Sequence, residues 1–83
     1  MKVTAKVSKL NGDGKVKAIA SIVIEDAFKV DNIRVIEGEK GLFVSMPQRK
    51  TESKGYVDIA YPITKEAREL VNKVVLDAYN ALS

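Results

Sequence analysis

The chain has 83 residues, 46% of them hydrophobic and 30% charged, a balance that suits a folded domain and excludes a disordered one. That length bounds a single domain, residues 1–83, near the size at which one core stabilises only marginally, so help from a partner subunit is expected. With neither Cys nor His, a disulfide framework is excluded, zinc and most transition-metal sites lose their usual ligands although carboxylates could still hold magnesium or calcium, and the commonest catalytic nucleophile–base pairs are absent, while a net charge of +3 favours polyanions without demanding them.

The opening "MKVTAKVSKL" alternates apolar and polar residues, which is the period of a half-buried strand and not the apolar core of a signal peptide. No apolar run reaches the roughly 18 residues of a membrane span. A cytoplasmic protein with no membrane partner is therefore expected. "NGDG", Asn11 to Gly14, predicts a tight hairpin turn because Asn, Asp and Gly tolerate positive φ. Pairing Leu10 with Lys15 sets Val7 opposite Ala18 and Val3 opposite Ile22, so both strands share one apolar face. The other face gathers Lys2, Lys6, Lys15 and Lys17, either as a solvated surface or as a binding stripe.

A second turn at "EDA" leads into "FKVDNIRVIEG", with Ile24 opposite Phe28 and Ile22 opposite Val30. The alternation slips at Asp31-Asn32. Unless a β-bulge restores it, Ile33 and Val35 turn outward to join Ile19 and Val23 in an apolar patch. "EGEKG" is a third turn and "LFVSM" a fourth strand, stopped by Pro47. Gln48 to Lys54 then reads as a polar loop, followed by a fifth short strand, "GYVDIAY". From Thr64 the period becomes helical, placing Ala67, Leu70, Val71, Val74, Ala78, Ala81 and Leu82 on one face. Thr64 is the expected N-cap, with Glu66 in the first turn. The expected fold class is α+β, an antiparallel sheet of about five strands followed by one C-terminal amphipathic helix.

Motifs for chemistry are sparse. "NGDGKVK" lacks the spacing of a phosphate loop and precedes a strand. "DNIRVIEGE" lacks the alternating ligands of a calcium loop. "KGLFVSM" is one residue short of the RNA-recognition element and carries one ring, Phe43, where that element has several. Leu42, Phe43 and Val44 are read first as core or interface. Glu37 and Glu39 lie in a turn beside Lys40 as solvated charges, so no catalytic residue, metal ligand, cofactor or small-molecule substrate is expected. In "QRKTESKG", Arg49, Lys50 and Lys54 face one acid, Glu52. Such a segment can lay cations on phosphates or can simply be solvated.

The stretches "AIASIVIEDAFKVDNIRVIEGEKGLFVSMPQRK" and "DIAYPITKEARELV" resemble the stage V sporulation protein G (SpoVG) family. That family's pattern is an "AIASI" strand, an "IRVI-x-G" turn, "GLFVAMP" with an adjacent basic pair, and "DI-x-x-PI" before the last helix. The resemblance runs from Val3 to about Tyr79. It implies a homodimeric, site-preferring DNA-binding regulator of sporulation or septation, with RNA as a further partner, built on an antiparallel sheet and a C-terminal helix. The family's basic pair falls on Arg49 and Lys50, while Lys54 joins them by proximity. Where the family carries a basic residue before "DI" and a histidine before "PI", this chain has Val57 and Tyr61. The competing expectation is a protein-interaction module that uses an exposed apolar sheet face or edge.

Overall fold

The computed structural model describes residues 1–10 and 14–82. Four strands, β1 (Val3–Lys9), β2 (Val16–Ile24), β3 (Phe28–Gly38) and β4 (Gly41–Ser45), form one antiparallel sheet in chain order. Two more, β5 (Gln48–Thr51) and β6 (Gly55–Asp58), form a separate antiparallel ribbon, and the helix α1 (Lys65–Asn80) ends the fold. The α+β class with an antiparallel sheet and a C-terminal helix is as expected.

The β1–β2 faces match the expectation but their partners do not: Val3 lies opposite Ile24 and Val7 opposite Ala20, each two residues further along than the expected pairing. The Leu10 amide donates to the Lys17 carbonyl at 3.0 Å, so the connection is longer than a four-residue turn. A slip of two preserves every side chain's face, which is why the burial pattern survives it. The expected turn residues Asn11, Gly12 and Asp13 lie outside the described residues.

The second turn places Glu25 and Asp26 at φ of 55° and 54°, and the Ala27 amide closes it onto the Ile24 carbonyl at 3.0 Å, the pattern that suits the twist of a hairpin. Ile24 faces Phe28 and Ile22 faces Val30, as expected. The register then shifts between Ala20 and Ile22, with Ala20 opposite Ile33. Asn32 takes up the extra residue at φ 62°, a conformation Asn tolerates better than most side chains. This bulge returns Ile33 and Val35 to the core, both with no exposed surface. The outward alternative is not taken.

One face of the sheet and one stripe of the helix make the core. Ala18, Ala20 and Ile22 from β2, Ile33 and Val35 from β3, and Val71 and Val75 from α1 are buried together, with Val44 and Met46 packed at the margin. Leu76 and Tyr79 also pack on it, so the helix turns a different stripe inward than Leu70 and Val74 would mark. Thr64 caps α1 by accepting the Ala67 amide at 3.1 Å, with Glu66 in the first turn. The Lys9 ammonium sits 5.4 Å from the Tyr79 ring centroid, a cation–π contact that ties β1 to the helix. Among the described residues no helix is long and apolar enough to cross a membrane.

Candidate functional site

Pro47 is buried and has no amide to continue a ladder, and the chain leaves the main sheet there. The segment expected to be a loop is instead a hairpin. Gln48 pairs with Asp58, Arg49 with Val57, Lys50 with Tyr56 and Thr51 with Gly55. At its tip the Thr51 hydroxyl donates to the Gly55 carbonyl at 2.9 Å and accepts the Lys54 amide at 3.0 Å. Gly55 supplies the positive φ, 69°, that a Cβ would disfavour. At its base the Gln48 Nε2 donates to the Asp58 carboxylate at 2.9 Å, and the Ile59 amide closes onto the Pro47 carbonyl at 2.8 Å. The fifth expected strand is correspondingly shorter, ending at Asp58.

The ribbon stands away from the body. No Cα of β5 or β6 comes within 8 Å of a Cα in β1–β4 or in α1. Its four paired residues per strand span roughly 10 Å.

The three expected site residues are thus on one projecting element, but they do not form one patch. Successive strand residues face opposite ways, so Arg49 shares a face with Val57, and Lys50 shares the other with Tyr56, Gln48 and Asp58. Lys54 lies in the turn between β5 and β6. Among the described residues, none of the three cations is in an ion pair, whereas Lys2 binds Asp26 at 2.7 Å and Lys17 binds Glu37 at 3.2 Å. The lysine stripe on the first hairpin is therefore half neutralised, and the ribbon is not.

Two residues were not singled out by sequence reasoning. Tyr56 is 68% exposed, directly across from Lys50; the alternation in "GYVD" sets it on the side of Asp58 and away from Val57, which is the local signal of its exposure. Arg68, on the first turns of α1, lines a cleft of about 320 Å³ with Gln48 and Asp58 at the base of the ribbon. It forms no ion pair among the described residues. Phe43 is half exposed, its ring lying over Gly38 so closely that a Cβ there would come within 3.0 Å of it. Val44 alone of the "LFV" trio packs on the core.

A second feature is apolar. A groove of about 330 Å³ between the β2–β3 end of the sheet and the start of α1 is lined by Ile24, Phe28, Val30, Met46, Tyr61 and Ile63 among others. Phe28 is 66% and Ile63 88% exposed.

Fold and site together define a small α+β domain with a four-stranded antiparallel sheet, one closing helix and a projecting basic ribbon. Residues 1–81 match the SpoVG family model. The chain is 45% identical over 80 residues to "Putative septation protein SpoVG" of Phytoplasma australiense, covering 95% of this chain and 83% of that one. It is 50% identical over 74 residues to the protein of the same name from Lachnospira eligens, covering 89% and 84%, and 47% identical over 74 residues to that of Clostridium perfringens, covering 89% and 82%. The chain belongs to the SpoVG family.

Proposed function

We propose that this protein is a homodimeric nucleic-acid-binding regulator whose β5–β6 ribbon contacts DNA, and RNA as a second target, through Arg49, Lys50 and Lys54. The observation that carries the reading is the ribbon itself: three cations without ion pairs among the described residues, on an element that stands clear of the body. A cation already bound to a carboxylate must give up that partner to meet a phosphate, whereas these three need not. Arg49 is the base reader of the set, because its planar fork can pair with guanine O6 and N7, and Lys50 is a phosphate contact. The reading includes no catalytic step, and it places the protein in the cytoplasm with the nucleic acid it binds. Septation, the process in the names of its relatives, is the process it regulates.

Dimerisation is supported by the exposed Phe28, Tyr61 and Ile63 around the apolar groove, which a second copy would cover. Two ribbons on one dimer convert two weak contacts into one useful affinity through effective concentration. The same groove is what favours the second reading, a protein-interaction module. Selection of bound DNA and RNA from random pools at fixed salt separates the two. Enrichment of a sequence supports the regulator; no enrichment, together with a protein partner retained at high salt, supports the module.

A further inference from the structure

The two faces of the ribbon are chemically unequal, and only one of them carries a ring. Tyr56 stands opposite Lys50 and is two-thirds exposed, and the same face ends in the hydrogen-bonded Gln48 amide and Asp58 carboxylate. Arg49 and Val57 occupy the reverse face without an aromatic. The ring is not needed for the fold, since the ribbon is held by its ladder, by the Thr51–Gly55 tip and by the Ile59–Pro47 closure, and Tyr56 is absent from the core and its margin. An exposed ring beside an ammonium outside any ion pair is the combination that binds an unpaired base: the ring stacks on the base and the cation meets the adjoining phosphate. Within a duplex both faces of each base are already covered by neighbouring pairs, so the ring gains nothing comparable there.

From this juxtaposition we propose that Tyr56 is a base-stacking residue, making the Lys50–Tyr56 face of the ribbon a site for single-stranded nucleic acid. The inference rests on the nucleic-acid reading above and adds to it the strandedness of the target and the residue that sets it. Gln48 and Asp58, on the same face, supply a donor and an acceptor that can meet the edge of the stacked base.

The test compares roughly 12-nucleotide oligo-dT, the matching oligo-U, and the oligo-dT annealed to its complement, a length within the usual range for one binding module. The expected result is that Tyr56→Ala weakens single-strand binding about 5- to 150-fold, the span of one base stack, while Tyr56→Phe restores it and duplex affinity changes less than about twofold. The chain has three tyrosines and no tryptophan, so a Tyr61→Phe/Tyr79→Phe background leaves Tyr56 as the sole tyrosine emitter, and its fluorescence is quenched on stacking. Loss with oligo-U alone assigns the site to RNA, and loss with both assigns it to single strands of either sugar. Equal losses on single strand and duplex, or no loss on either, overturn the proposal. Failure of the wild-type protein to bind any of the three overturns it as well, and is distinguishable because it removes the nucleic-acid reading itself.

Discussion

Lys50 and Tyr56 face each other across the β5–β6 ribbon, while Arg49, one residue away, projects from the opposite side. The basic pair therefore does not act as one patch, and its members should contribute separately. Single Arg49→Ala and Lys50→Ala changes are expected to lower nucleic-acid affinity additively, as sites without shared partners do. A double-mutant cycle measured by fluorescence anisotropy checks this, with a coupling below about 0.5 kcal/mol as the expected outcome.

The bulge at Asn32 decides which side of the sheet Ile33 and Val35 face. Asn32→Val forces a β-branched side chain to φ 62° and should cost about 1–3 kcal/mol. Asn32→Gly, which adopts that angle freely, should stay within roughly 0.5 kcal/mol of the parent or exceed it. Urea unfolding reads both.

Deleting the helix cap has a more local effect. Thr64→Ala leaves the Ala67 amide without its acceptor and should cost ~1 kcal/mol, seen as a fall in melting temperature of about 4–8 °C for a domain of this size. Thr64→Ser keeps an oxygen in place and should restore most of it.

The apolar groove is expected to be the contact between two copies. Phe28→Asp with Ile63→Asp places two charges where a dimer would bury them, and unpaired buried charges are not tolerated. Both side chains are exposed in the single chain, so the monomer's own fold should be unaffected. Light scattering should report twice the chain mass for the parent and the chain mass for the variant.

Much of the fold is legible in the sequence because its strands alternate and its helix has a cap. Val3, Ala5 and Val7 mark a half-buried strand whatever their exact partners, and Thr64 with Glu66 marks a helix start. The ribbon is not legible, since "QRKT" has no apolar residue to reveal a period of two and its pairing is held by polar contacts such as Gln48 with Asp58. The bulge shows as a slipped alternation at Asp31-Asn32, which identifies the irregularity without deciding its outcome. The helix stripe is ambiguous because Leu70 and Val74 fit a 3.6-residue period as well as Val75 and Tyr79 do, and only the sheet beneath selects between them. Charge and resemblance mark Arg49, Lys50 and Lys54. That they lie on two faces and a tip comes only from the strand pairing.

The most direct test of the ribbon's role is the salt dependence of oligonucleotide binding by the parent and by the Arg49→Ala/Lys50→Ala variant. With Lys50 as the phosphate contact and Arg49 as the base reader, the slope of log affinity against log salt on duplex DNA should become shallower by about 1 for each ribbon engaged, near 0.9 for the one phosphate no longer neutralised, and affinity should fall further through the lost base contact. The melting temperature should hardly change, because neither residue is buried and, among the described residues, neither is in an ion pair. An unchanged slope and affinity in a folded double variant would contradict the account and remove the ribbon from the binding site.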